Sequence, residues 1–156
     1  MTKMLIAIDD SSSAMKAVEY VAQQFTTDGV QIGLVHVLPN LPAIFWDEGH
    51  ILSEDEKRDR QKVVDKWLDA QKAKMDPLFK KAIDLLTAAG LPSDRIAVKF
   101  ISDSTDAAAS ILEEARDNNY GTIVVGRSHH SPKHVLGTIA GRIAAQGAGL
   151  VVTIVE

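Results

Sequence analysis

The chain contains no cysteine in 156 residues. That removes disulfides, thiolate nucleophiles and cysteine-ligated metals from consideration, and it fits a reducing compartment. No apolar stretch approaches the roughly 20 residues needed to cross a bilayer. There is no excess of positive charge: 17 Lys and Arg stand against 21 Asp and Glu, for a net charge of -4. This balance argues against a general nucleic-acid binder, which would be basic. No signal-peptide pattern precedes the first strand-like segment, since Met1-Thr2-Lys3-Met4 runs straight into it. The expected location is cytoplasmic. Internal repeats, low-complexity tracts and linkers are also missing, so residues 1–156 are expected to form one domain.

What is present is a regular alternation. Met4 to Ile8 is a continuous apolar run, as expected of a strand buried on both faces. It stops at Asp9-Asp10-Ser11, where Asp10 or a serine at 11–13 suits a helix cap. Ala14, Val18, Val21 and Phe25 then form a helical stripe, which Asp28-Gly29 ends. Val30 to Val37 is a β-branched second strand. Residues 38–52 are irregular but carry Leu41, Ile44, Phe45 and Trp46, which either close one end of the core or cover a cleft.

Ser53-Glu54-Asp55-Glu56 is a capping box. The apolar stripe after it, from Val64 through Trp67, Met75, Phe79 and Ala82 to Leu86, stays in phase across Pro77. One kinked helix is therefore expected, with Gly90 past its end and Pro92 barring continuation. Ile96 to Ile101 is a third strand, and Ser104 or Thr105 is expected to cap the helix that follows. That helix ends near Asn118-Asn119. Gly121 to Val125 is a fourth strand, Leu136 to Gln146 a helix, and Gly149 to Val155 a last strand. Strands alternating with helices imply a three-layer α/β sandwich, a parallel sheet with helices on both faces.

Ligands of such sheets bind beyond the carboxyl ends of the strands, where the strand order reverses. The candidate segments are Asp9-Asp10-Ser11, Val37-Leu38-Pro39, Ser102-Asp103-Ser104 and the loop from Gly126. Paired acids after a first strand also open two-component receiver domains. Here, however, the fourth strand ends in Gly126 rather than a hydroxyl residue, and no lysine follows the last strand.

The segment from Gly126 through Arg127, Ser128, His129 and His130 to Gly137-Thr138 is the richest in chemistry. Together with Asp9-Asp10-Ser11 after the first strand and His36-Val37 ending the second, it resembles the universal stress protein family over the whole chain. That family's signature is Gly, two residues, Gly, nine residues, then Gly-Ser or Gly-Thr. Gly126 and Gly137-Thr138 occupy its first and last places, whereas His129 stands at the second glycine and only seven residues separate positions 129 and 137. A histidine forced to positive φ would cost about 1–2 kcal/mol. Ser131-Pro132 is also a good helix start, which would begin the helix at 132 rather than 138.

The resemblance implies a five-stranded sheet of order 3-2-1-4-5. It also implies an adenine nucleotide, ATP or AMP, at the carboxyl edge. Asp9 would contact the adenine or ribose side and the Val37 backbone would contact adenine. Gly126, Arg127, Ser128, His129, Gly137 and Thr138 would wrap the phosphates. Backbone N–H groups and a helix N-terminus provide the attraction for anions, and glycine permits close approach. Arg127, His129, His130, Lys133 and His134 would add charged donors. Histidines beside a phosphate would tighten anion binding as pH falls past about 6.5.

Three smaller signals complete the reading. His129, His130 and His134 could ligate a metal, though no acidic partner is near in sequence. Asp9 and Asp10, with Asp103, could hold Mg²⁺ alongside a nucleotide. Leu150 to Val155 is apolar on both faces and is expected at a sheet edge, where pairing in a homodimer would cover it, as the family commonly does. The expected function is a dimeric, nucleotide-binding stress regulator, with no catalytic residue specified. The alternatives are a dimeric interaction module that has lost its nucleotide and a slow ATPase.

Overall fold

The apolar runs assemble into one sheet of five parallel strands in the order β3-β2-β1-β4-β5. The computed structural model describes residues 2–25, 29–42, 51–127 and 138–156. The strands are β1 (Thr2–Ala7), β2 (Val30–Val37), β3 (Ile96–Ile101), β4 (Thr122–Gly126) and β5 (Val151–Val155). The helices are α1 (Ser12–Gln24), α2 (Glu54–Ala88), α3 (Ala107–Asp117) and α4 (Thr138–Gln146). A short 3-10 turn, Ser93–Arg95, leads into β3.

The connections explain the layers. From β1 the chain steps outward through α1 to β2 and through α2 to β3, then returns through α3 to β4 and through α4 to β5. Right-handed crossovers in opposite directions put the two helix pairs on opposite faces. The core divides accordingly. Met4, Ile6 and Ile8 pack with Val18 and Val21 of α1 and with Phe79, Ala82 and Leu86 of α2. Leu5 points the other way, to Ile111 and Leu112 of α3 and Ile143 of α4. Consecutive residues of β1 are thus buried against different helix layers, as an unbroken apolar run requires.

Local signals set most element ends. Ser53 Oγ accepts from Glu56 N–H at 3.2 Å and donates to Glu56 Oε1 at 3.1 Å, closing the expected capping box. α2 runs unbroken through Pro77 for 35 residues. Its end is a Schellman turn: Gly90 takes φ 108°, Gly90 N–H donates to Thr87 O, and Leu91 N–H donates to Leu86 O. All of α2's fully buried residues, Met75, Phe79, Ala82 and Leu86, lie in its second half.

Some boundaries differ from the sequence reading. α3 is capped by Asp106, whose side chain accepts from Ala109 N–H at 3.2 Å. Neither Ser104 nor Thr105 does this, and the Ser104 hydroxyl lies 2.6 Å from that of Ser110 instead. The carboxylate one or two residues later caps the helix and also pairs with Arg142 of α4. α1 ends at Gln24 with Phe25 as its cap, before Gly29, which takes φ 89°. β4 is displaced by one residue to include Gly126, and β5 begins at Val151. α4 is described from Thr138. Residues 43–50, with Ile44, Phe45 and Trp46, lie outside the described residues.

Among the described residues, β5 forms one edge of the sheet and pairs only with β4, from Thr122↔Val151 to Gly126↔Val155. Val151 is 60% exposed there.

Candidate functional site

β1 and β4 are neighbours whose onward connections run in opposite directions, so a crevice opens between their carboxyl ends. The chain leaves β1 through Ile8 and Asp9. Asp9 Oδ1 accepts from Ser11 N–H at 2.8 Å and from the Ser11 hydroxyl. The Ser11 hydroxyl is also 3.0 Å from that of Ser13. Ser11 is the backbone N-cap of α1 but makes no side-chain cap bond, because its hydroxyl is engaged by Asp9. The result is an exposed carboxylate anchored at the foot of α1.

β2 outruns its neighbour. Its ladder with β1 ends at Ala7↔Val35, followed by one bond from Ile8 N–H to Val35 O at 2.8 Å. Its ladder with β3 continues to Val37↔Ile101. Backbone groups alternate sides along a strand, so Val37 turns its peptide edge toward the side that β1 has already left. The ring of His36 bridges the gap, with Nδ1 2.7 Å from Ile8 O.

At β4, Gly126 sits against the first turn of α1. A Cβ there would fall 2.5 Å from the Ser13 carbonyl carbon and 2.8 Å from the Ser13 Cβ. Gly126 is not among the glycines of positive φ. Space, not backbone conformation, is what demands glycine at this position. Thr138, the first described residue of α4, lies across the crevice.

These ends enclose a cavity of about 430 Å³. Ala7, Val35, Val37, Ile111 and Ala140 supply much of its apolar wall, while Asp9, Ser11, His36 and Thr138 bring polar groups. Its size suits a ligand of drug or nucleotide scale, and an apolar slot with a few convergent polar groups is the usual form of such sites.

Of the residues expected at the site, Asp9, Val37, Gly126 and Thr138 line this one cavity. Arg127 is not among its lining residues: its guanidinium pairs with Glu156 at 2.6 Å and its N–H donates to Val155 O. Ser128, His129 and Gly137 lie outside the described residues, as do His130, Lys133 and His134. Among the described residues, no group of three or more His, Asp or Glu side chains is placed to hold a metal ion. Asp103, with φ 57°, does not line the cavity.

The cavity also takes walls that sequence reasoning missed. Ala107 at the start of α3 and Ile139 of α4 line it. They carry no chemical signature, and only the topology brings them to the crevice. Behind them, Asp106 and Arg142 tie α3 to α4. The Arg142 hydrogen bond, then the Ala109 N–H, hold the Asp106 carboxyl below its ordinary pKa.

A doubly wound parallel sheet with an apolar cleft at its switch point is a small-molecule-binding class of fold. The universal stress protein family model matches residues 1–152, and the chain belongs to that family. No curated protein matches it in sequence. Among solved structures, it is similar to a universal stress protein family member from Burkholderia pseudomallei, with TM-score 0.67, 16% identity, and 99% of this chain and 95% of that one covered. It is also similar to a family protein from Arabidopsis thaliana with AMP bound, at TM-score 0.63 and 17% identity, covering 100% of this chain and 93% of that one. A third is the universal stress protein from Archaeoglobus fulgidus in complex with dAMP, at TM-score 0.60 and 16% identity, covering 100% and 98%. At these identities the likeness establishes the fold. Among the described residues no helix is long and apolar enough to cross a membrane.

Proposed function

We propose that this chain binds an adenine nucleotide, AMP or ATP, in the crevice between β1 and β4 and acts as a dimeric regulator through the bound state. The observation that carries the reading is the convergence of Asp9, Val37, Gly126 and Thr138 on one cavity of about 430 Å³. The apolar walls suit a purine ring. The Val37 peptide edge would recognise its hydrogen-bonding side. The Asp9 carboxylate suits ribose hydroxyls. Gly126 and Thr138 bound the stretch that would hold the phosphates, where a helix N-terminus would add partial positive charge. The AMP and dAMP complexes of the similar proteins support the same ligand class.

The proposed homodimer pairs two β5 edges. The support is an edge without a partner strand among the described residues: Val151 N–H donates to Gly121 O and Val155 O accepts from Arg127 N–H, so the backbone groups of odd positions face β4 and those of even ones face outward. Mg²⁺, if it accompanies ATP, would sit near Asp9 and Asp10. Cytoplasmic residence goes with this reading.

Thermal unfolding with AMP and ATP, with and without Mg²⁺, is the test. Ligand at 100 times Kd adds about 2.7 kcal/mol, and each kcal/mol raises Tm by about 2–4 °C in a chain of this size. Ala107→Leu places three more carbons in the cavity at a helix position that accepts leucine. It should abolish the shift while the unliganded Tm stays close to that of the native chain. No shift of the native chain at millimolar nucleotide overturns the reading and favours an interaction module. Phosphate release in the same samples would mark a slow ATPase.

A further inference from the structure

We infer that His36 is a positioning residue: its ring terminates the β1–β2 ladder and thereby leaves the Val37 N–H for a ligand in the crevice. The inference deepens the nucleotide reading and rests on it.

The register supplies the argument. Ala7 pairs with Val35, and Ile8 N–H donates to Val35 O. In a parallel ladder the next bond in the series runs from Val37 N–H to Ile8 O. That acceptor is engaged by the His36 ring, with Nδ1 2.7 Å from Ile8 O. A carbonyl only accepts, so Nδ1 carries the proton and donates. The imidazole thus takes one of the two lone pairs of the acceptor that one more rung of sheet would use, and Val37 N–H makes no bond to Ile8 O. β2 still holds its line, because its other side remains paired through Val37↔Ile101 and Leu38 N–H donates to Ile101 O at 2.8 Å.

Two features fix the ring where it must be. His36 falls on the same sheet face as Leu34, above the α1–α2 core. There Phe100 meets it edge-on at 6.2 Å between centroids, and Phe100 is itself seated against Phe79 at 5.1 Å. The ring is also part of the cavity wall. By holding Ile8 O, it sets the peptide that leads into Asp9, so one side chain governs both the Val37 edge and the Asp9 approach. A side chain without a donor at position 36 would let β1 and β2 zip one rung further, spending the Val37 N–H within the sheet.

The test uses the full chain with His36→Leu and His36→Asn, AMP titration calorimetry, and amide hydrogen exchange at Val37. The Asn side-chain amide offers an N–H at about the reach of Nδ1. In ligand-free native protein the Val37 amide should exchange fast and become protected by AMP. In His36→Leu it should be protected without AMP, and AMP affinity should fall about tenfold, the scale of one hydrogen bond lost at a site. His36→Asn should restore both readouts to within about threefold of native. Equal loss in His36→Asn and His36→Leu, or native affinity in His36→Leu, overturns the inference. So does a Val37 amide already protected in the native ligand-free chain. If the native chain binds no AMP, the nucleotide reading fails, while the ligand-free Val37 comparison still decides whether His36 ends the ladder.

Discussion

Gly126 and Ser13 are in such close approach that any side chain at 126 would collide with the Ser13 main chain, 2.5 Å from its carbonyl carbon. The first glycine of the family signature therefore has a packing duty, locking the end of β4 onto the first turn of α1. Gly126→Ala should destabilise the fold by about 1–3 kcal/mol, the usual cost of overpacking. Urea unfolding followed by circular dichroism measures this. An unchanged midpoint would mean that the two elements separate at little cost.

Asp106 joins two tasks, capping α3 and pairing with Arg142 of α4. Its pKa is lowered in the folded state, first by the Arg142 hydrogen bond and next by the Ala109 N–H. A depressed carboxyl pKa contributes stability above the unfolded value of about 3.9 and loses it as pH falls through the folded value. Asp106→Ala should thus lower the urea midpoint at pH 7 and differ less from the native chain as pH falls below about 3.9. Arg142→Met should remove only part of the effect, since the Ala109 bond remains. A gap between Asp106→Ala and native that is the same at pH 7 and pH 2 would contradict the linkage.

Val151 is 60% exposed on the edge strand and faces away from the α3–α4 core that takes Val152 and Ile154. Val151→Lys should leave the monomer fold intact, because little buried area is lost there. A charge on a strand edge opposes edge-to-edge pairing. Sedimentation velocity should report a dimer for the native chain and a monomer for Val151→Lys. A native monomer, or a dimer that persists in the variant, would refute pairing through β5.

The elements were legible in the sequence wherever the determinant is local. Met4 to Ile8 and Val30 to Val37 announce buried strands by composition alone, and Ser53 with Glu56 marks a helix start through a bond three residues long. The in-phase stripe on both sides of Pro77 identifies a single α2. The cap of α3 was not legible, because Ser104, Thr105 and Asp106 are all competent caps. Asp106, the one that caps, is also the one that pairs with Arg142, 36 residues away in sequence.

The same division runs through the site. From the sequence by itself follow the alternation of strands and helices, hence the layered parallel sheet, and the identities of the residues that end each strand. Those are consequences of side-chain periodicity and short-range capping. Which strand ends meet was implied beforehand by the family resemblance alone, and the tertiary structure decided it physically: Asp9, Val37, Gly126 and Thr138 share a cavity because β1 lies between β2 and β4. It also turned Arg127 to Glu156 at the chain end, brought Ala107 and Ile139 to the wall, and set the His36 ring on Ile8 O. Each of these depends on register between strands distant in sequence, a relation that no local pattern encodes.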